Sequence, residues 1–339
     1  MRILVVTDAW HPQVNGVVRT LERVAQELPA LGGEATFLTP ARYRSVAMPT
    51  YPEIRLSLPP PGGVAAAIRE AGADHVHIAT EGPLGIAARR ALLAAGEAFT
   101  TSYHTRFPEY LRARLPVPEA LTYAWLRRFH NAAAATLVAT PSLARELEAR
   151  GFTRLRPWTR GVDAELFRPE RRAPLAVPGP VFLYVGRVSV EKNIGAFLAL
   201  DLPGTKVVVG DGPARAELEA RHPDAVFLGV RTGEELAGIY AAADVFVFPS
   251  RTDTFGIVLL EALASGVPVA AYPVTGPADV VGGTDAGVLS EDLGAAAMAA
   301  LSSSRERARE VALRHSWSEC ARIFLDRARE AHGAGRRAA

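Results

Sequence analysis

Apolar residues in this chain gather in short continuous runs, and between the runs they recur every three or four positions. Runs rich in Val, Ile, Phe and Thr at 3–7, 35–39, 74–79, 98–103 and 136–140 predict strands. Helical spacing predicts helices at 17–31, 62–72, 84–96, 117–132 and 142–150. The theme repeats further along. Strands are expected at 181–185, 206–209, 225–228, 245–248 and 267–271, and helices at 193–200, 213–221, 233–242, 256–265 and 291–314. Continuous rather than alternating apolar runs indicate strands covered on both faces, as in a parallel sheet flanked by helices. The stretch 168–180, RPERRAPLAVPGP, has four prolines and no period, and reads as a linker. The fold class is therefore α/β, with doubly wound domains over 1–167 and 181–314 and a last segment, 315–335, that is helical by period over 315–329. Two such domains are expected to face each other across a cleft, with ligands beyond the carboxyl ends of the strands.

Composition narrows the class. A chain of 339 residues can hold two cores, and an apolar fraction of 49% with net charge +2 excludes disorder for most of it. Cys320 is the one cysteine, which excludes a disulfide framework and fits a reducing cytoplasm. No apolar run approaches the ~18 residues of a membrane span. The opening MRILVVTDAW meets Asp8 too early for a signal peptide. A cytoplasmic protein is expected, free or peripheral on the inner face of the cell membrane. Residues 1–167 carry 19 Arg against 15 acids, whereas 168–339 carry 17 Arg and two Lys against 21 acids. Charge this small and dispersed argues against a nucleic-acid partner. Against the arginine bias, Lys192 and Lys206 stand out.

The informative residues follow the strands. After the first strand comes Asn15-Gly16 and then a helix, without the G-x-G-x-x-G of a dinucleotide site. The nearest spacing, Gly210-Asp-Gly212, has Arg215 at its last position, which disfavours a nicotinamide or flavin enzyme. Asn15-Gly16 either brings backbone close to a phosphate at a helix N-terminus or makes an ordinary turn. His104 either donates a hydrogen bond to substrate or caps its strand. His75 and His77 share a strand face and lack a third metal ligand in view. Arg187 ends the strand 181–185, and Lys192 opens the following helix. Two cations beside helix N–H groups suit a diphosphate, the guanidinium as a fork and the ammonium as a point charge. A solvated loop pair is the alternative. Beyond 245–248, Asp253 lies in a loop and Glu261 eight residues on in a helix. Such carboxylates accept hydrogen bonds from sugar hydroxyls, or form a metal-binding or glycosidase pair. The neighbouring cations argue against a glycosidase.

Several stretches together resemble the retaining nucleotide-sugar glycosyltransferases of family 4, which have the GT-B fold. They are TDAWHPQVNGVVRTL, TEGPLG, SYHTRFPEY, RGVDAELF, VGRVSVEKN, GDGP, AADVFVFPSRTDTFGIVLLEALASGVPV and HSWSECARIFL, in order over nearly the whole chain. Closest in pattern are the glycolipid-forming and mannosyltransferase members. The resemblance implies two Rossmann-like domains, with the acceptor on 1–167, the nucleotide sugar on 181–314, and 315–335 crossing back to the N-terminal domain. It implies transfer of a hexose to a hydroxyl with retention, with no metal and no cofactor, the nucleotide sugar being a substrate.

Residue roles follow by the same resemblance. Gly16 is similar to the glycine whose backbone approaches the diphosphate, and Arg187 and Lys192 to the pair that neutralises the departing diphosphate. Asp253 and Glu261 resemble the ends of the E-x7-E motif, which contact sugar hydroxyls and ribose respectively. The backbone of Phe255, Gly256, Ile257 and Val258 is implied near the donor sugar and phosphate. His104 resembles the strand-end histidine that touches the transferred sugar near its reacting carbon. Two positions depart from the pattern. Asp253 stands where many members carry the longer Glu, and Asn15-Gly16 where many have Gly-Gly.

The segment 106–130 holds five Arg against two acids, interleaved with Phe107, Tyr110, Tyr123, Trp125 and Phe129. That composition suits an anionic membrane surface, with a solvated face over core aromatics as the alternative. The expected function is transfer from a UDP-sugar to a membrane lipid such as diacylglycerol. The alternative is a GDP-mannose-dependent α-mannosyltransferase, or a glycan-building transferase with a soluble acceptor. A sugar-nucleotide epimerase calls for further acid–base residues that the pattern does not place. A non-catalytic binder has no need of Arg187, Lys192 and Glu261 together.

Overall fold

The computed structural model describes residues 1–13, 15–48, 51–112, 117–173 and 175–338. The chain divides into two units, Met1–Thr159 with Trp317–Ala339, and Arg160–Ser316. Residues 160–167, which the sequence reading assigns to the first half, cluster with the second.

The first unit holds β1 (Arg2–Val6), β2 (Glu34–Leu38), β3 (Ser45–Met48), β4 (Tyr51–Ser57), β5 (His75–Ile78), β6 (Phe99–Tyr103), β7 (Ala135–Val138) and β8 (Leu155–Pro157). Six of these form one parallel sheet in the order β2-β1-β5-β6-β7-β8. Every residue of β5, β6 and β7 is buried, as the continuous apolar runs require. Leu4, Val6, Ile78, Leu92, Phe99 and Phe129 share the larger core here. β3 and β4 pair antiparallel as a separate hairpin.

Two histidines sit inside this sheet and are satisfied by β6. His75 Nε2 and His77 Nδ1 lie 2.9 and 2.8 Å from the Thr100 hydroxyl, and His77 Nε2 lies 2.7 Å from Ser102 Oγ. Hydroxyl partners, with the Phe324 ring 4.8 Å from His77, account for both residues. Phe324 belongs to the long helix Trp317–Ala338, with which the chain returns to the first unit. There Trp158 Nε1 donates to the Cys320 carbonyl at 3.0 Å, and the Trp158 and Phe324 rings lie 5.3 Å apart. Trp317, 8% exposed, is a packing residue.

The second unit holds β9 (Val181–Val185), β10 (Thr205–Val209), β11 (Val226–Gly229), β12 (Val245–Phe248), β13 (Val269–Ala271) and β14 (Gly287–Leu289). They form a parallel sheet in the order β11-β10-β9-β12-β13-β14, the doubly wound arrangement of nucleotide-binding domains. Phe182, Tyr184, Phe197, Val208, Val245 and Val247 lie in its core.

The differences from the sequence reading are local. The helix expected over 17–31 ends at Glu27, where Pro29 continues it as a 3₁₀ turn closed by Gly32 at φ +76°. The helix expected over 291–314 is two, Leu293–Ala300 and Arg305–Ala312, because Ser304 caps the second by accepting from Arg307 N–H. Strands β8 (LRP) and β14 (GVL) have three residues each and lie in no longer apolar run, unlike the equally short β13 within 267–271, so no pattern registers them.

Burial holds His75 down to about 4 and drives His77 well below the ordinary histidine value. An unfolded chain protonates both near 6.5, so below that pH the unfolded state binds more protons and stability falls as pH falls. For His75 the slope runs from about pH 6.5 down to about 4, at about 1.4 kcal/mol per pH unit. Unfolding free energies from urea titrations of His75→Asn, measured from pH 7.5 to 5, should therefore fall by about 2 kcal/mol less than the parent's between pH 6.5 and 5. Equal losses would contradict a buried neutral His75.

Candidate functional site

In the second sheet the strand order reverses between β9 and β12, the place where doubly wound sheets bind ligands at their carboxyl ends. The loops leaving these two strands are tied together. Lys192 Nζ donates to Asp253 Oδ1 at 2.5 Å, Thr252 Oγ1 to the Glu191 carbonyl at 3.1 Å, and Asn193 Nδ2 to the Pro249 carbonyl at 3.0 Å. Two of the residues singled out, 61 apart in sequence, thus form one ion pair. Asp253 Oδ2 is buried and has no hydrogen-bond partner among the described residues, so the carboxylate has an unused acceptor. Arg187 is half-buried five residues before Lys192, and its carbonyl takes the Tyr184 hydroxyl at 2.7 Å.

Glycines set the shape of this loop. A Cβ on Gly210 would lie 1.9 Å from the Gly186 carbonyl oxygen, and one on Gly212 would lie 2.3 Å from that of Val188. Val188 N donates to Asp211 O at 2.9 Å, and Ala214 N to Val188 O at 3.1 Å. The Gly210-Asp-Gly212 pair is therefore the bed on which the Arg187 loop rests, which explains the glycines without a dinucleotide motif.

The Asp253 loop runs into the helix Ile257–Ala264 through Gly256, whose φ of +86° a side chain rarely adopts. Phe255 is 4% exposed, its ring 6.2 Å from His315, so only its backbone is left for a ligand. Its carbonyl would lie 2.6 Å from a Cβ on Gly276. Ile257 and Val258 are half-buried in the first helical turn, whose N–H groups precede the intrahelical ladder. Glu261, only 2% exposed, accepts from the Tyr240 hydroxyl at 3.0 Å. Tyr240 lies in the buried helix Gly233–Ala242, and no pattern in the sequence marks it out.

The remaining candidates lie in the first unit. Asn15 caps the helix Gly16–Glu27, its Oδ1 accepting from Val17 and Val18 N–H, each at 3.0 Å. Gly16 opens that helix, so two N–H groups of the proposed phosphate approach already have a partner within the chain. His104 follows β6 half-buried, its ring 5.5 Å from that of Trp158.

The basic segment divides, and residues 113–116 of it lie outside the described residues. Arg106 is 7% exposed and donates to both oxygens of Glu146, at 2.9 and 2.6 Å. It is a buried brace, not a surface cation. Tyr123 and Phe129 are buried as well and Tyr110 is half-buried, which leaves Phe107 and Trp125 at the surface with Leu121. Among the described residues no three His, Cys, Asp or Glu are placed to hold a metal, and no helix is long and apolar enough to cross a membrane.

Two family models match. One described as Glycosyltransferase Family 4 covers residues 14–166, and one described as Glycosyl transferases group 1 covers residues 179–303. A GDP-mannose-dependent alpha-mannosyltransferase of Mycobacterium tuberculosis is 33% identical over 308 residues, covering 83% of this chain and 81% of that one. The sulfoquinovosyl transferase SQD2 of Arabidopsis thaliana is 33% identical over 262 residues, covering 70% and 50%. Among solved structures, a sucrose-phosphate synthase from Thermosynechococcus elongatus superposes with a TM-score of 0.76 at 20% identity, over 98% of this chain and 99% of the other. Anabaena HepE, solved with UDP and glucose, gives 0.72 at 17% identity, over 96% and 98%. The fold is GT-B, with two parallel-sheet α/β units.

Because the bed under the Arg187 loop has no room for a methyl group, Gly212→Ala should cost at least ~2 kcal/mol of stability. Urea unfolding checks this, and a parental midpoint would contradict the close approach.

Proposed function

The chain belongs to glycosyltransferase family 4, and from that premise we propose that it is a retaining mannosyltransferase acting from GDP-mannose on a hydroxyl at a membrane surface. The observation that carries the reading is the pairing of Lys192 with the half-satisfied carboxylate of Asp253 at the switch point of the second sheet. A sugar diphosphate needs positive charge at its phosphates and acceptors at its hydroxyls, side by side. An ammonium has three donors, so Lys192 can keep Asp253 and still reach a phosphate oxygen. Arg187 supplies the fork, and the first N–H groups of the helix at Ile257 and Val258 add their dipole. The open oxygen of Asp253 accepts from a sugar hydroxyl, and Glu261, braced by Tyr240, is assigned to the ribose.

In the transfer, the bond from the sugar's anomeric carbon to the phosphate oxygen breaks through an oxocarbenium-like state. The acceptor oxygen bonds to that carbon on the same face, and its proton passes to the departing diphosphate. Charge grows on the diphosphate in this step, where Arg187 and Lys192 act. The roles of Gly16 and His104, both in the first unit, are proposals carried by the resemblance.

The donor reading moves from the UDP-sugar that the sequence favoured to GDP-mannose. The support is that three relatives, 33, 30 and 32% identical over most of this chain, are GDP-mannose-dependent alpha-mannosyltransferases. A lipid-borne acceptor is supported by the exposed face of the helix Glu119–His130 and its neighbour. There Leu121, Trp125 and Phe107 are 66, 41 and 40% exposed beside exposed Arg112 and Arg128.

Incubating the protein with GDP-mannose, UDP-glucose or ADP-glucose and a membrane lipid extract, followed by mass spectrometry, should yield mannosylated lipid from GDP-mannose. Products from UDP-glucose alone would overturn the donor assignment. Arg187→Ala and Lys192→Ala should each lower kcat/KM by ~10²-fold or more. Parental rates in both would contradict the site.

A further inference from the structure

We propose that Glu81 recognises the acceptor by binding the hydroxyls of a neutral polyol, and that His130 is the positioning residue that holds its carboxylate. The proposal rests on the transfer reading above. The first sheet has its own switch point, between β1 and β5, and the loops leaving those strands are locked together. Asp8 N donates to Thr80 Oγ1 at 2.7 Å, and that hydroxyl donates to Asp8 Oδ2 at 3.0 Å. The Asp8 carboxylate also accepts from Leu84 and Gly85 N–H at 2.8 and 3.2 Å. The two glycines of TEGPLG serve the same packing. A Cβ on Gly82 would lie 2.4 Å from Asp8 Cγ, and one on Gly85 would lie 1.9 Å from the Thr80 carbonyl oxygen.

Glu81 takes no part in this lock. Its Oε1 accepts from His130 Nε2 at 3.0 Å, its one hydrogen bond among the described residues, and its side chain keeps 15% exposure. His130 is wholly buried, with Nδ1 3.0 Å from Thr101 Oγ1, which lies 3.0 Å from Thr136 Oγ1. A carboxylate oxygen accepts from an imidazole N–H, so Nε2 is the donor in this contact. A buried imidazole braced on two threonines thus ties the loop after β5 to the end of the helix Glu119–His130. What the brace secures is a direction. A carboxylate has about four lone-pair sites, and Glu81 has most of them left for the adjacent hydroxyls of a sugar or glycerol. The Asp8 carboxylate near Glu81 already takes the Leu84 and Gly85 N–H donors, so a phosphate or sulfate there meets two carboxylates and is repelled while a neutral polyol is not.

The test uses the full chain and its Glu81→Gln, His130→Gln and double variants. Initial rates with GDP-mannose are measured against three acceptors: methyl α-mannoside in solution, glucosyl diacylglycerol in phosphatidylcholine vesicles, and phosphatidylinositol in the same vesicles. GDP affinity, donor hydrolysis without acceptor and thermal midpoints are read in parallel. Glu81→Gln should raise the KM for a neutral acceptor ~10-fold or more, with GDP affinity and donor hydrolysis within about twofold of the parent. Whichever neutral acceptor responds identifies a free or a lipid-borne polyol. His130→Gln should raise the same KM, and the double variant should be no worse than Glu81→Gln alone. An unchanged acceptor KM, a loss that tracks the thermal midpoint alone, or sole use of phosphatidylinositol would overturn the proposal. A parent protein that neither binds nor hydrolyses any nucleotide sugar would defeat the transfer reading, and this one with it.

Discussion

Where β9 and β12 part, no ladder hydrogen bonds hold the loops beyond them, and their relative position depends on the contacts the loops make themselves. The bond between Lys192 and Asp253 is the charged one of the three named, with Thr252 and Asn193 bracing it on either side. The pair retains only 23 and 16% exposure, and the cost of taking both charges out of water offsets much of their attraction, so its net contribution to stability is small. Its consequence is therefore geometric. It pins an ammonium at the switch point beside an unused carboxylate oxygen, the two features that the proposed sugar-diphosphate donor calls for.

That arrangement rests on glycines that allow backbone to touch backbone. Gly210 and Gly212 lie against the carbonyls of Gly186 and Val188, and Gly276 against that of Phe255. Each loop of the site is thus held from behind by a strand end too close for any side chain. The first sheet uses the same device at Gly85, against the Thr80 carbonyl. The two units share a construction principle, with different chemistry presented at each switch point.

Much of this was legible in the sequence because long buried strands leave unbroken apolar runs. β1, β5, β6, β9 and β12 fall where those runs predict, and Arg187, Lys192 and Asp253 follow them directly. Strands β8 and β14 leave no such run, and the β3–β4 hairpin alternates too weakly to register. Side-chain partnerships were hidden for a different reason. Arg106 and Arg128 look alike in a charge run, yet one is clamped inside by Glu146 and the other faces solvent. Likewise Tyr240 reads as one more apolar residue in its helix until its hydroxyl is seen on Glu261. Periodicity reports which face is buried, and a hydrogen bond across 21 or 40 residues lies beyond its reach.

The central claim is that a nucleoside diphosphate sits against the ammonium fixed between these loops. Calorimetric titration of GDP into the parent protein and Lys192→Ala tests it most directly. The account predicts at least ~10-fold weaker binding in the variant, with a shallower dependence on salt, because one phosphate contact has gone. Equal affinity and equal salt dependence in the two proteins would contradict it.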